Sequence, residues 1–351
     1  KEGFVTDHVL DVTRFSNHMA EILKGDYINK GECIVEVTTP SLVPVSIVNR
    51  KTDRNYGVVN LEIDGKSITL DGLKQNSFHY LPVKKKSKLK ITSKQNLIIG
   101  KSIAINQARK NEKKLVITLF VDGLASKILS SNTLSELMPN TNHFFRDGAK
   151  FYNCFSASEW TLPSVASIVS GLYSAHHGIT NPKGRINVGN DYKLLGEYFQ
   201  EKGYLTTQIC NNHRKNPSYG YVKGFDRTLY KRHMGCDQVI TSALEHLDTF
   251  SGRDNYLWLS FFDAHHHLDF IPDISSQKEN TLEDHSYKKG VSGSVFLDYD
   301  QKLVNWYVSE IRRLDRYLKI LYDYIDTKYK FNDILISLVS DHGQAYVGHQ
   351  K

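Results

Sequence analysis

The sequence has no long hydrophobic run and few cysteines, and both shortages exclude whole classes of protein. No stretch of about 18 consecutive apolar residues occurs in the 351 residues, so no segment is predicted to span a membrane. The four cysteines, Cys33, Cys154, Cys210 and Cys236, are far apart and form no CxxC pair. They therefore predict neither a disulfide framework nor a cysteine-ligated zinc site.

Acidic residues are slightly fewer than basic ones, 38 against 45, which gives a net charge of +7. This excess favours an anionic partner such as a phosphorylated or acidic glycan. The densest basic run, KKKSKLK at 84–90, is interpreted as the solvated edge of a strand rather than a nucleic-acid-binding patch. We therefore expect no nucleic-acid partner.

Two kinds of hydrophobic pattern divide the chain. Between Glu32 and about residue 105, short alternating segments are separated by turn signals such as Asp64-Gly65, which is typical of an antiparallel sandwich. From Lys114 onward, buried-type strands alternate with amphipathic helices, which predicts a mostly parallel sheet covered by helices on both faces. The predicted fold is therefore α/β from 111 to 351, preceded by a small all-β sandwich module over 1–110.

Polar residues follow the predicted strands of the second domain. Asp122, Asp263 and the pair Asp341-His342 each come directly after a buried strand, where ligands bind in such sheets. Thr161 lies where an N-cap belongs, before an apolar helical pattern, so its hydroxyl is expected at the positive end of a helix dipole. Taken alone, Thr161 would be an ordinary helix cap.

Carboxylates and imidazoles gathered around that hydroxyl predict a divalent-metal site. A metal there would neutralise a phosphoryl oxygen and lower the pKa of the hydroxyl, which would make Thr161 a nucleophile.

The motifs that carry these residues resemble those of the sulfatase and alkaline phosphatase superfamily. The resemblance covers about 114–349 and is carried, in the expected order, by VDG, LMPNTNHFFRDGAKFYNCFSAS, TLPSVASIVSG, KGYLTT with GFD, YVSEIRRLDRYLKIL with LVSDHG, and DHGQAYVGH. TLPSVASIVSG matches the nucleophile motif C/S-x-P-S-R-x-x-x-x-x-G in frame. The resemblance implies an alkaline-phosphatase-like sheet in the second domain.

Two departures from the sulfatase pattern change the implied chemistry. Sulfatases use Cys or Ser, converted to formylglycine, and an Arg four residues on, whereas this chain has Thr161 and Val165. Sulfatase activity is therefore not expected. A Thr at this position resembles the phosphoglycerol and phosphoethanolamine transferases and the nucleotide pyrophosphatase/phosphodiesterases, in which the Thr becomes phosphorylated.

The resemblance also implies a set of site residues. Asp122, Thr161, Asp341 and His342 correspond to ligands of a first metal, and His349 matches the last family His and is also assigned to the metal site. Asn212 and His213, in CNNHR, are assigned to substrate.

The segment Asp263-Ala-His-His-His267 allows two alignments. A sulfatase-like alignment places His265 at the substrate, and a phosphodiesterase-like alignment makes Asp263 and His267 ligands of a second metal. Strand alternation puts Asp263, His265 and His267 on one face. We therefore expect Asp263 and His267 at a second metal and His265 as a catalytic residue in contact with the substrate.

The implied function is metal-dependent transfer of a phosphodiester, phosphoethanolamine, phosphoglycerol or phosphoramidate group to a bacterial surface glycan through phospho-Thr161. The implied cofactor is one or two Zn²⁺ or Mn²⁺ ions, the donor a phosphorylated small molecule or lipid, and the acceptor a polysaccharide such as a capsule. The alternatives are a phosphodiesterase or phosphonate-ester hydrolase, and an inactive glycan-binding protein. We expect the bacterial cytoplasm or membrane periphery rather than secretion, and a chain that lacks part of the C-terminal domain, since it ends two residues after His349.

Overall fold

A computed structural model describes residues 19–49, 56–106, 113–127, 130–181, 187–189, 191–265, 274–283 and 297–348. The strands are β1 (Ala20–Leu23), β2 (Gly25–Ile28), β3 (Gly31–Val37), β4 (Ser41–Val48), β5 (Tyr56–Ile63), β6 (Lys66–Lys74), β7 (Phe78–Val83), β8 (Ser87–Ser93), β9 (Asn96–Gly100), β10 (Ile103–Ala104), β11 (Leu115–Val121), β12 (Leu205–Cys210), β13 (Arg227–Tyr230), β14 (Asn255–Phe261) and β15 (Ile334–Val339). The helices are α1 (Ser131–Leu137), α2 (Pro139–Phe144), α3 (Thr161–Ser170), α4 (Ser174–His177), α5 (Leu195–Glu201), α6 (Cys236–Thr249), α7 (Ile274–Gln277), α8 (Gln301–Lys328) and α9 (Ala345–Gly348). Short 3₁₀ turns occur at His213–Lys215, Pro217–Tyr219 and Phe331–Asp333.

Strands β2 to β10 form two antiparallel sheets. One has the order β10-β4-β9-β2 with β7 also paired to β4, and the other has the order β3-β8-β5-β6. Alternate residues of β4, β5 and β8, such as Val45, Val59 and Ile91, enter one shared apolar core. This packing of two inner faces is that of a sandwich, as the alternating pattern predicts.

The large sheet has the order β1-β13-β12-β14-β11-β15, and the last five strands are parallel. Its two faces carry separate cores because successive side chains of a strand point to opposite sides. Leu119 on β11 packs with α6 and α8, whereas Phe120 packs with α3 and with Trp258 of β14. The predicted mostly parallel sheet with helices on both faces is confirmed.

The first strand does not belong to the sandwich. Residues Ala20–Leu23 lie within the range predicted for the N-terminal module, but they pair antiparallel with β13 at the edge of the large sheet. Within the described ranges, the structure contains no helix long and apolar enough to cross a membrane.

Candidate metal centre and nucleophile

All five parallel strands bring polar residues to the same edge of the large sheet. In sheet order, β13 leads to Arg232 and His233, β12 to Asn212 and His213, β14 to Asp263 and His265, β11 to Asp122, and β15 to Asp341 and His342. The carboxyl ends of parallel strands form this edge, which is where open α/β sheets bind ligands.

Thr161 is the first residue of helix α3 rather than its cap. The capping position is held by Trp160, whose backbone is extended (φ −149°, ψ 163°), so the predicted N-cap role of Thr161 is wrong. The reason is that the Thr161 hydroxyl bonds to side chains from β11 and β15 instead of to a helix amide. The hydroxyl still lies at the positive end of the helix dipole, on a residue that is 4% exposed.

Asp122 is buried at the end of β11, where the chain turns away from the sheet. Its backbone N–H donates to the Phe261 carbonyl over 2.9 Å, which extends the β11–β14 pairing by one residue. Gly123 follows with a φ of +72°, a left-handed conformation that glycine adopts without strain. The turn therefore fixes the Asp122 carboxylate at the sheet edge.

Asp341 and His342 are held in position by backbone groups. Asp341 Oδ1 accepts from the backbone N–H of Gly123 over 3.2 Å and of His342 over 3.0 Å. His342 Nδ1 lies 2.7 Å from the Gly343 carbonyl. A carbonyl only accepts, so Nδ1 carries the proton and Nε2 presents a lone pair in the neutral ring.

These groups converge on the Thr161 hydroxyl. Thr161 Oγ1 donates to Asp122 Oδ2 over 3.3 Å and lies 3.1 Å from His342 Nε2. The same His342 Nε2 is 3.4 Å from Asp122 Oδ1 and 3.5 Å from Asp341 Oδ2. The structure thus brings together Asp122, Thr161, Asp341 and His342, the four residues that the sequence places at one edge of the sheet.

The pKa shifts of the cluster indicate that a positive charge would stabilise its ionised carboxylates. Burial raises the pKa of Asp122 to about 6, against the opposing effects of His342 and Asn212. Burial and the Asp122 charge raise the pKa of Asp341 to about 7. Burial lowers the pKa of His342, but the charges of Asp341 and Asp122 outweigh it and raise that pKa overall.

A divalent cation fits this donor set. Asp122 Oδ1 and Asp341 Oδ2 are fully buried and receive no hydrogen bond from the described residues, although both face His342 Nε2. Buried carboxylate oxygens without a donor are rare and costly unless an ion satisfies them. Carboxylate oxygens and imidazole nitrogen suit zinc and manganese.

His265 belongs to the same cluster. One ligand atom each of Asp122, His265 and His342 lies within 4.8 Å of the others. The His265 ring stacks on Phe262 at 4.5 Å between ring centroids and lies 6.2 Å from the His342 ring. It is therefore near enough to reach a cation or a substrate group at Thr161.

The two residues assigned to substrate have different surroundings. Asn212 is fully buried, and its Nδ2 donates to Asp122 Oδ2, so it orients that carboxylate. His213 is only partly buried and packs edge-on against Phe262 at 5.8 Å. Burial, followed by the charges of Arg214 and Arg232, lowers the pKa of His213 to about 3, so the ring is neutral.

Asp263, assigned above to a second metal, has another partner. Its Oδ1 lies 2.7 Å from Arg313 Nη1 and accepts from the Cys236 backbone N–H over 3.0 Å. Arg313 therefore pairs with Oδ1, whereas Asp263 Oδ2 is buried and receives no hydrogen bond from the described residues. His267 and His349, the other two predicted ligands, lie outside the described residues.

Several contributors to the site were missed by the sequence reasoning. Tyr307 on α8 donates its hydroxyl to the Gly123 carbonyl over 3.0 Å and accepts from the Ala125 N–H over 2.8 Å, which braces the turn after Asp122. The rings of His213 and His265 pack against Phe262. The double aromatic of LSFFDAH could have drawn attention to Phe262, but nothing in the helical pattern singles out Tyr307.

The fold and the site define a member of the alkaline phosphatase superfamily. The chain belongs to the sulfatase family, whose model matches residues 114–350. This confirms the resemblance stated above.

Several known proteins are similar to parts of this chain in sequence or in fold. It is 24% identical over 123 residues to an N-acetylglucosamine-6-O-sulfatase of Bacteroides thetaiotaomicron, a match that covers 34% of this chain and 21% of the relative. Its fold is similar to that of the phosphonate monoester hydrolase of Agrobacterium radiobacter, with a TM-score of 0.50, 15% identity and coverage of 68% of this chain and 64% of that one. The corresponding values for the phosphonate monoester hydrolase of Silicibacter pomeroyi are 0.50, 14%, 67% and 63%. The chain thus spans about a fifth of the curated relative and under two thirds of these structures.

Proposed function

We propose that the chain carries a metal-dependent phosphoryl-type transferase site in which Thr161 is the nucleophile and a surface glycan is the acceptor. The observation that carries this proposal is the position of Thr161 Oγ1, 3.1 Å from His342 Nε2 and 3.3 Å from Asp122 Oδ2 at the start of a buried helix. A hydroxyl held in this way is the arrangement expected of an activated nucleophile.

In the first step, Thr161 Oγ1 attacks phosphorus, the Oγ1–P bond forms and the ester bond to the leaving group breaks. Asp122 Oδ2 already accepts the Thr161 hydrogen bond and takes that proton, while the departing oxygen takes a proton from solvent. In the second step, the acceptor hydroxyl attacks phosphorus and gives its proton to solvent as the Oγ1–P bond breaks, and Thr161 regains its proton from Asp122. The acceptor is a polysaccharide hydroxyl, and the donor a phosphorylated small molecule or lipid.

Asp122, Asp341 and His342 would hold one Zn²⁺ or Mn²⁺ ion beside Thr161. When bound, the ion supplies charge neutralisation at a phosphoryl oxygen and lowers the pKa of the hydroxyl. His265 contacts the substrate in this proposal. Asp263 is left out of the ligand set because Arg313 already neutralises it.

Position 165 supports phosphoryl rather than sulfuryl chemistry. Val165, where sulfatases carry an Arg, is fully buried in the apolar cluster with Phe120 and Trp258. It does not belong to the cluster around Thr161. The N-acetylglucosamine-6-O-sulfatase relative supports a carbohydrate substrate but not the same reacting group.

The experiment is to incubate the purified chain and Mn²⁺ or Zn²⁺ with bis(p-nitrophenyl) phosphate and to search for a phosphorylated Thr161 peptide by mass spectrometry. We expect p-nitrophenol release and labelled Thr161, both lost in Thr161→Ala. The matched control is Ser167→Ala on the same helix, whose hydroxyl contacts His177 instead. Adding a glycan acceptor distinguishes a transferase, which passes the phosphoryl group to the glycan, from a hydrolase, which passes it to water. Turnover of p-nitrophenyl sulfate in preference to the phosphodiester would overturn the proposal.

A further inference from the structure

A second cluster of basic side chains lies at the β12–β13 end of the same sheet edge. It consists of His213, Arg232 and His233, and we call it the distal cluster. The rings of His213 and His233 pack on Phe262 at 5.8 and 5.9 Å between ring centroids.

The turn that carries Arg232 and His233 is built into the fold. His233 has a φ of +57°, a left-handed conformation that costs a non-glycine residue about 1 kcal/mol. The turn is held by backbone bonds from Lys231 N to Cys210 O (3.2 Å) and from His233 N to Asn211 O (3.3 Å). Asn211 Nδ2 also donates to the Met234 carbonyl over 2.6 Å.

The cluster offers donors that the described residues leave unused. Arg232 Nε and His213 Nδ1 are both buried, and neither has a hydrogen-bond partner within the described ranges. A buried guanidinium N–H without a partner costs free energy comparable to a lost charged hydrogen bond. Among the described residues no carboxylate pairs with Arg232, so an anion from outside the chain fits there.

The place of strand β13 in the sheet gives the distance between Arg232 and the residues around Thr161. Strand β13 is three places from β11 in the sheet, and neighbouring strands lie about 4.8 Å apart, so the backbone that carries Arg232 is roughly 14 Å from that of Asp122. His213 follows Asn212, which contacts Asp122, so Arg232 is the member of the cluster placed to meet a different group of the substrate from the reacting phosphoryl group. Phe262 provides an apolar surface between the two locations.

We propose that the distal cluster is an anion subsite that binds a second negatively charged group on an extended substrate. This group is a carboxylate, sulfate or phosphate, and the substrate class is an acidic oligosaccharide or a molecule of similar length. The inference rests on the proposed function for the reacting end only, because the subsite is read from contacts that do not include Thr161. Arg232 supplies the main charge, and His213 supplies a neutral donor.

The test uses two synthetic p-nitrophenyl phosphodiesters with the same long arm, which ends in a carboxylate in one and a carboxamide in the other. The arm spans roughly the 14 Å estimated from three strand spacings. Binding of both to the full chain in its Thr161→Ala form is measured by calorimetry. We expect the carboxylate to bind about tenfold more tightly, as one charge-assisted contact provides.

Arg232→Gln should abolish this preference, and Arg232→Lys should restore part of it. The control is Lys231→Gln, because Lys231 is the adjacent basic residue but bonds to Gln238 over 3.0 Å. An unchanged preference in Arg232→Gln, or equal binding of the two probes to the parent chain, overturns the proposal. Turnover by the Thr161-containing chain is measured separately, so loss of activity with a retained charge preference contradicts the proposed function alone.

Discussion

At the scale of single residues, Asp122 and Asp341 lower the stability of the metal-free chain and favour the binding of a cation. Both carboxylates are fully buried, and each has one oxygen that receives no hydrogen bond from the described residues. Burial raises both pKa values, so ionising these groups in the folded, metal-free chain is unfavourable. A cation that binds only the folded state would reverse this cost.

We expect Asp341→Asn to stabilise the metal-free chain at pH 8 and to abolish stabilisation by Mn²⁺ or Zn²⁺. The folded pKa, about 7, lies above the unfolded value of 3.8, so the folded chain holds the proton longer and wild-type stability falls as pH rises from about 4 to 7. Removing the charge should therefore gain at least about 1 kcal/mol at pH 8 and little at pH 4. Urea unfolding at both pH values in chelator measures this difference.

The control for that experiment is Asp315→Asn. Asp315 is also buried, but its carboxylate accepts from Asn140 and Thr141 over 2.7 to 3.0 Å. Its substitution should destabilise the chain with or without metal. If Asp341→Asn behaved like Asp315→Asn, Asp341 would be a structural residue and the metal assignment would fail.

Lys215 is a buried cation with a different role. It is 1% exposed, its Nζ donates to Gln208 Oε1, and the rings of Tyr221, Phe225 and Trp258 surround it at 4.9 to 5.4 Å. Burial lowers its pKa from 10.5 to about 8. Below pH 8 both states are protonated and the full cost of the buried charge applies.

We expect wild-type stability, measured relative to Lys215→Met, to rise with pH between 8 and 10.5. The folded chain loses the Lys215 proton first, so the unfolded state binds more protons in this window, and the gain approaches about 3 kcal/mol. Chemical unfolding of both proteins across this range measures the difference. The same comparison with the exposed Lys202→Met should be flat, and a flat result for Lys215→Met would show that its charge is not buried.

At the scale of secondary structure elements, the sequence predicts most of the second domain because its periodicity is strong. The segments around KLVITLFVDG, YLTTQIC, NYLWLSFF and DILISLVS form β11, β12, β14 and β15, and 301–328 forms α8. Strand ends locate Asp122, Asp341 and His342 because parallel strands share one edge. The polar contacts of Asp263 could not be predicted, since Arg313 lies 50 residues away and periodicity identifies no partners.

The ion pair between α8 and the end of β14 leads to a prediction about Asp263. Arg313 contacts Asp263 over 2.7 Å and Asp237 over 2.9 Å, and its side chain is 3% exposed. Arg313→Met removes the cation from Asp263, Asp237 and Glu310, and the Asp263 side chain is only 4% exposed, so we expect a loss of about 3–5 kcal/mol in the free energy of unfolding. Adding Asp263→Asn should recover part of that loss.

The neighbouring Arg312→Met is the control, because Arg312 is half-exposed and its acidic partners lie 3.5 and 3.8 Å away. It should change stability by less than about 1 kcal/mol. Metal counting on Asp263→Asn completes the test. An unchanged count agrees with a structural ion pair, whereas the loss of one ion per chain would restore the second-metal role expected from the sequence.

At the scale of the whole molecule, the sandwich and the large sheet are joined by strand β1 and by a polar cluster. Glu21 on β1 accepts from Tyr80 of β7 over 2.6 Å and from Arg227 of β13 over 2.6 Å. Arg227 also contacts His246 of α6 over 3.4 Å. The sequence predicts both folding units but not this junction, because the four residues AEIL of β1 carry no information about their pairing strand.

We expect the two parts to unfold in one cooperative transition that Arg227→Met separates into two. The substitution leaves Glu21, whose side chain is 19% exposed, without its cation and weakens the pairing of β1 with β13. Losing a partly buried charged pair costs about 2–3 kcal/mol, enough to let the sandwich detach before the large sheet unfolds. Calorimetry of wild type and variant, with tryptophan fluorescence reporting on Trp258 in the large sheet, distinguishes the transitions. The control Arg253→Met removes a hydrogen bond to a neutral acceptor between the same two parts, the Ala104 carbonyl of β10 at 3.2 Å, and should preserve the single transition. Two transitions in the wild type would mean that the Glu21–Tyr80–Arg227 cluster does not couple the sandwich to the sheet that carries Thr161 and its ligands.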